Sequence, residues 1–149
     1  MKTLIFFCTL ILSTLTTFSQ TIEGTYANKW LSKTGEGIEY ILTLQDNGEF
    51  TFNHRRMFKE ESYNTDVEVQ GTWELKGHLL VLNTNNSLEQ HNDIAAKLDS
   101  NKARYISVSR RNPDFNMVKP KLQFYKSDVF YANDMELVKT ESSVTTAEL

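Results

Sequence analysis

Apolar and polar residues alternate along most of the chain that follows residues 1–20. Tyr40, Leu42 and Leu44 fall on one parity, whereas Glu39 and Thr43 fall on the other. Such alternation is typical of a β-strand with one buried face. No long stretch repeats with the 3.6-residue period of a helix. The pattern therefore predicts an all-β fold.

The same alternation recurs in short segments separated by turn residues. About eight to ten such strands form the pattern of an antiparallel meander that closes into a β-barrel, and a β-sandwich is the alternative. The predicted strands are 22–30, 38–44, 49–58, 67–75, 80–82, a weaker 94–98, 106–108, 122–124 and 135–137.

Strand parity selects the first hairpin turn, at Asp46-Asn47-Gly48. A two-residue Asn-Gly loop would place Phe50 on the polar face of its strand. A three-residue loop pairs Leu44 with Phe50 and keeps one apolar face. We therefore predict a type I turn with a glycine bulge, in which Gly48 is left-handed.

A second hairpin is predicted at Lys76-Gly77. A two-residue loop made of these residues pairs Trp73 with Leu80, and a primed turn suits such a loop. The sequence thus predicts that Trp73 is buried on the inward face.

Residues 87–98 admit two interpretations. Ser87 and Gln90 resemble a capping box, and Ile94, Ala95 and Leu98 could form a helical face. We favour a loop to about His91, followed by a strand.

The N-terminus carries the three parts of a secretory signal. Lys2 precedes an uncharged apolar stretch, and Thr17 and Ser19 are the small residues before a cut at Gln20. We expect a signal peptide over 1–19, a barrel domain over 20–139 and a disordered tail over 140–149. The expected location is the periplasm or the cell exterior, and no stable membrane span remains after cleavage.

Charge and cysteine content narrow the function classes. The 149 residues include 16 basic and 19 acidic side chains, which give a net charge of −3. Nucleic-acid-binding domains are usually strongly basic, so no nucleic acid partner is expected. Cys8 is the single cysteine and lies in the signal segment, so neither a disulfide framework nor a cysteine-built zinc site is expected.

The order of several short motifs resembles a known group of proteins. Residues 23–26 (EGTY) and 70–73 (QGTW) share a Gly-Thr-aromatic pattern. Between them lie YILTL at 40–44, the DNG turn at 46–48 and FTF at 50–52. In this order the motifs resemble small exported lipocalin-like domain proteins of Gram-negative bacteria.

The resemblance covers residues 22–82 and a closing strand at 135–139, and the middle of the chain matches loosely. Lipocalins proper carry Gly-x-Trp on their first strand, where this chain has Tyr26. The resemblance implies a meandering antiparallel barrel that can hold a small apolar ligand.

No catalytic set of residues can be assembled from the sequence. His54, His78 and His91 lie in separate segments, without the spacing of a metal-binding pair. A phosphate-binding glycine loop, a nucleophile elbow and paired acid–base carboxylates are all missing from the pattern. We expect a protein that is not an enzyme and that needs no cofactor or metal.

Three basic residues stand out against the apolar parity. His54 and Arg56 share the parity of Phe52, and Arg104 shares that of Ile106. A buried guanidinium needs an anionic partner, such as the carboxylate of a fatty-acid-like ligand. The alternative is that both arginines lie at strand ends, where the barrel is already wet, or that a bulge changes the parity.

Two functions remain open at this stage. The first is an exported binding module for a small apolar or amphipathic ligand, a class that includes anionic amphiphiles. The second is a structural or protein-interaction domain of the cell envelope, with a filled core and no ligand. The candidate ligand-binding residues for the first function are Arg56, Arg104, His54, Tyr40, Phe52 and Trp73.

Overall fold

The computed structural model describes residues 21–60, 64–84, 92–107, 119–125, 127–130 and 134–140. The predicted signal peptide and nearly all of the predicted tail lie outside these residues, as does His91. In order, the described elements are β1 (Gly24–Leu31), β2 (Gly37–Leu44), β3 (Glu49–Met57), β4 (Thr65–Lys76), β5 (Leu79–Thr84), α1 (Asn92–Leu98), β6 (Lys102–Ile106), β7 (Lys121–Phe124) and β8 (Met135–Lys139).

The strands form a closed antiparallel barrel. Each strand pairs with the next along the chain, and β8 returns to pair with β1 through Tyr26 opposite Lys139. This confirms the predicted antiparallel meander and selects the barrel over the β-sandwich. Closure matters physically because it leaves no strand edge open to pair with another chain.

The interior is built from cross-strand rows of side chains, because directly paired residues on neighbouring strands point to the same face. We call the end of the barrel where β1 ends and β2 begins the mouth. From the mouth inward, the rows across β1 to β4 are Trp30–Ile38–Arg56–Thr65, Asn28–Tyr40–His54–Val67, Tyr26–Leu42–Phe52–Val69 and Gly24–Leu44–Phe50–Gly71.

The core contains large aromatic and aliphatic side chains from all around the barrel. Alternation along the strands places them inward, as the sequence predicts, except for Leu98, which comes from the helix α1. The largest fully buried side chains are Tyr26, Tyr40, Phe50, Phe52, Phe124, Leu42, Leu44, Leu80, Leu82, Leu98, Leu122 and Leu137.

The first hairpin turn confirms the parity argument. Leu44 pairs with Phe50, and Gly48 has a φ of 83°. The amide of Gly48 donates to the carbonyl oxygen of Gln45 at 3.2 Å, which closes the loop. Only a residue that tolerates positive φ fits this bulge without strain.

The register predicted for the second hairpin is wrong by two residues. Lys76 pairs with Leu79, so the loop is Gly77-His78, and Trp73 pairs with Leu82 rather than Leu80. A shift of two preserves parity, so the same residues still face inward. Gly77 has a φ of 66° at the first loop position, as a type II′ turn requires.

The burial predicted for Trp73 is also wrong. The side chain is half-buried and packs against the core cluster. Its Nε1 donates to the carbonyl oxygen of Gln45 at 3.0 Å. Trp73 therefore closes the end of the barrel opposite the mouth, where its polar edge finds an acceptor.

Residues 94–98 form the end of a helix and not the predicted strand. Ala95 and Leu98 are buried against the barrel, and Ile94 packs beside them. Lys97 pairs with Asp93 at 2.8 Å, one helical turn away. Spacings of one, three and four residues put these apolar side chains on one helical face, whereas a strand would have divided them between two.

No helix in the described part of the chain has the length and the apolar composition needed to cross a membrane.

Candidate functional site

The mouth row joins three unlike side chains. Trp30 of β1 pairs with Ile38 of β2, which pairs in turn with Arg56 of β3. All three have the inward parity but lie where the strands end: Ile38 packs against the edge of the core, whereas Trp30 and Arg56 border water. Trp30 is 51% exposed and Arg56 is also exposed.

These residues line a cleft of about 310 Å³ at the mouth. Phe58, just beyond β3, contributes a further ring that is 41% exposed. A large exposed aromatic cluster is unusual on a small soluble domain and often marks an interaction site. The lining residues are Trp30, Glu36, Gly37, Ile38, Arg56, Met57 and Phe58.

Gly37 allows two walls of the cleft to lie close together. A Cβ on Gly37 would lie 2.2 Å from the carbonyl oxygen of Trp30 and 2.7 Å from Cδ2 of Leu31. The absence of a side chain therefore lets the end of β1 and the start of β2 approach closely. This contact holds the Trp30 and Ile38 backbones side by side at the mouth.

Arg56 has no ion-pair partner within the described ranges. Glu36 lines the same cleft without forming an ion pair with Arg56. The acids of the neighbouring strands lie on the outer face, where Asp66 binds Arg55 at 2.7 Å and Glu39 lies 3.6 Å from Lys29 and 3.9 Å from Arg55. Neighbouring side chains on a strand point to opposite faces, so Arg55 joins the ion pairs on the outer face and Arg56 points to the mouth. Its guanidinium is left available to an external anion.

His54 lies one row deeper than Arg56. It is 9% exposed, and its ring stacks on Tyr40 with centroids 5.0 Å apart. Neither ring nitrogen has a hydrogen-bond partner among the residues that the structure describes. Burial lowers the pKa of His54, and the positive charge of Arg56 lowers it further, whereas Asp66 acts in the opposite direction. The structure confirms the inward orientation predicted for His54.

Aromatic rings fill the barrel below this row. Phe130, from the connection between β7 and β8, packs edge-on against Tyr40 at 4.9 Å and Phe52 at 6.0 Å. It also contacts Phe124 at 4.7 Å. Tyr40 and Phe52 are thus part of a packed core, and neither lines the cleft.

The inward orientation predicted for Arg104 is wrong. Ala103 and Tyr105 are the buried residues of β6, and Arg104 points outward over the ring of Tyr125, 5.9 Å from its centroid. The error arose because Ile106, used to set the parity, is a half-buried residue at the end of its strand. Arg104 and Trp73 are therefore both remote from the mouth cleft.

The sequence interpretation missed most of the apolar lining. Ile38, Met57 and Phe58 were not singled out, and Trp30 entered only as the end of the predicted strand 22–30. Their position was the available signal: each lies at or just beyond the end of a strand, close to Arg56. Apolar residues that continue past the end of a barrel strand are candidates for a mouth site.

Metal binding finds no support among the described residues, since no group of three or more His, Cys, Asp and Glu side chains could hold an ion. His78 lies exposed in the second hairpin turn.

Neither a protein-family model, nor a curated protein, nor a solved structure matches this chain significantly. The fold and the cleft define a small antiparallel β-barrel whose mouth cleft combines apolar side chains with Arg56 and Glu36.

Proposed function

We propose that the protein is an exported, non-catalytic, lipocalin-like binding module whose ligand is a small anionic amphiphile held at the barrel mouth. One observation supports this function above the others. The guanidinium of Arg56, without an acidic partner in the described part of the chain, lies in the same cleft as Trp30, Ile38 and Phe58.

The charged head of such a ligand suits the guanidinium in the cleft, and its alkyl chain suits the apolar side chains there. A carboxylate can accept two parallel hydrogen bonds from a guanidinium, which fixes its orientation. An alkyl chain that buries about 200 Å² on the aromatic side chains gains roughly 5 kcal/mol before the costs of association. An exposed charge pair adds at most about 1 kcal/mol, so we expect a Kd no tighter than about 40 μM.

The proposed site differs from the barrel interior that the lipocalin resemblance implies. Large rings occupy the interior below the mouth, with Tyr40, Phe52, Phe124 and Phe130 in mutual contact. Eight-stranded barrels are narrow enough for side chains alone to fill them. The ligand is therefore assigned to the mouth.

A second function is favoured by that same packed interior. A structural or protein-interaction domain of the cell envelope would need only a stable barrel and an exposed patch. Trp30, Leu31 and Phe58 supply such a patch, since each is more than 40% exposed. Aromatic residues are enriched at the centres of protein interfaces.

Binding of matched amphiphiles to the mature chain distinguishes the two functions. Dodecanoate and dodecanol, each below its aggregation concentration, differ only in the charged head. Titration of the Trp73→Phe variant follows the fluorescence of Trp30 alone, because the chain has two tryptophans. We expect saturable binding of both compounds, with dodecanoate the tighter by about fivefold.

Arg56→Met and Arg104→Met form a matched pair of variants, because each removes one exposed positive charge and keeps an apolar stem. Arg56→Met should abolish the preference for dodecanoate, and Arg104→Met should retain it, since Arg104 lies over Tyr125 on the outer surface. Absence of binding by either compound would favour the interaction domain.

A further inference from the structure

His54 is the one buried titratable group next to the mouth cleft whose polar atoms are unsatisfied in the described structure. It occupies the inward position immediately below Arg56, two residues along β3, which corresponds to about 6.6 Å of strand. Its nitrogens lack partners, although most buried polar groups are hydrogen-bonded. An unsatisfied imidazole beside a proposed anion site calls for a functional explanation.

The charges around His54 come from few elements. On its own strand, Arg56 disfavours a second positive charge. From β4, the directly paired Val67 is apolar, and the neighbouring Asp66 is engaged by Arg55 on the outer face. From β2, Tyr40 presents a neutral ring, and its hydroxyl donates to the carbonyl oxygen of Val129 at 3.4 Å.

We propose that His54 takes up a proton when an anionic ligand occupies the mouth cleft, so that the cleft binds anions more tightly as the pH falls. This inference rests on the proposed function, because it needs an anion beside Arg56. It assigns a proton-linked regulation to the same site.

The coupling follows from electrostatics in a poorly solvated place. In the free protein, a proton on His54 would create two neighbouring positive charges, one of them buried. An anion on Arg56 cancels that repulsion and favours the imidazolium. Linkage is reciprocal. If a bound anion raises the affinity of His54 for a proton, a proton on His54 must raise the affinity of the cleft for the anion by the same factor.

The affinity of the cleft for an anion should rise as the pH falls. At neutral pH the free His54 is uncharged, because its pKa is lowered. The complex holds the proton up to a higher pH than the free protein does. Between those two pKa values, binding of the anion carries a proton with it, and affinity rises by up to about tenfold for each unit of pH decrease.

A ligand of constant charge tests the coupling cleanly. Dodecanesulfonate stays anionic between pH 5.5 and 7.5, so only the protein can titrate. Calorimetry at both pH values, in two buffers of different ionisation enthalpy, gives the affinity and the number of protons taken up. We expect binding about three- to tenfold tighter at pH 5.5, with net proton uptake.

His54→Gln and His78→Gln form the matched pair for this test, since each removes one histidine and His78 is exposed far from the mouth. His54→Gln should bind the sulfonate with the same affinity at both pH values, and His78→Gln should behave as the wild type. If His54→Gln fails to fold, His54→Phe keeps an aromatic ring on Tyr40 and should give the same result.

Sulfonate binding that is independent of pH, without proton uptake, would overturn the coupling and leave the proposed function standing. Loss of the pH dependence in His78→Gln would also overturn it. Absence of sulfonate binding at both pH values would refute the proposed function and the coupling together.

Discussion

The ring of Phe50 occupies the space that the missing side chain of Gly71 leaves open. The two residues pair directly across β3 and β4, and a Cβ on Gly71 would lie 2.7 Å from Cε1 of Phe50. It would also lie 2.2 Å from the backbone carbonyl oxygen of Asn83, which cannot move cheaply. Gly71→Ala should therefore destabilise the domain by about 3 kcal/mol, measured by urea unfolding.

Two further variants separate crowding from the general effect of adding a methyl group. A Cβ on Gly35 meets no atom within 4 Å, but its φ is 88°, so Gly35→Ala should cost only about 1 kcal/mol. Phe50→Leu should partly rescue Gly71→Ala in a double-mutant cycle. Equal unfolding energies for the two alanine variants would contradict the crowded contact.

The first hairpin gives a second stability prediction. Gly48→Ala places a side chain at a φ of 83°, and this should cost about 1 kcal/mol. No atom other than the carbonyl oxygen of Trp73, at 3.9 Å, lies within 4 Å of the added Cβ, so the cost is one of backbone strain. Gly48→Asn should restore part of the loss, because asparagine tolerates left-handed geometry. Thermal melts of the three proteins check this order, and an unchanged melting temperature in Gly48→Ala would argue against it.

Burial of His54 predicts a pH-dependent stability in the free protein. Its pKa is lowered in the folded state, so the unfolded chain binds the proton first as the pH falls below about 6.5. Stability should therefore drop by up to about 1 kcal/mol between pH 7.5 and 5.5 on account of this residue. Urea unfolding of wild type and His54→Phe at both pH values isolates the effect, since all other groups are shared. A pH response identical in the two proteins would show that His54 titrates normally.

Parity along the strands was sufficient to predict the barrel. It placed Tyr40, Phe52 and His54 inward, and it selected the three-residue loop that the structure has at Gly48. These predictions succeeded because one buried face imposes a two-residue period, which is visible without any tertiary information.

Parity failed where the barrel ends. Arg104 was placed inside, yet it faces outward, and Trp73, which does pack against the core, is only half-buried at the end of the barrel. Strand ends are open to water, so a side chain there can be exposed whichever face the alternation assigns to it. The helix α1 was considered but not favoured, because Ile94, Ala95 and Leu98 are too few to define a helical period on their own.

The candidate site was predicted only in part. Arg56 was singled out from the sequence because its charge conflicts with the apolar parity. Its neighbours in the cleft come from β1 and β2, and which residues meet at a mouth depends on the register of several strands at once. That information is tertiary and could not be obtained from alternation alone.

Methyl NMR of a chain of residues 20–149, titrated with dodecanoate, tests the proposed mouth site most directly. Ile38 and Met57 line the mouth cleft, whereas Leu42 and Leu122 are fully buried in the barrel. Ligand at the mouth predicts saturable shifts of the Ile38 and Met57 methyl signals, with the two leucines nearly unchanged. Shifts confined to the leucines would place the ligand inside the barrel, and a spectrum without shifts would contradict ligand binding altogether.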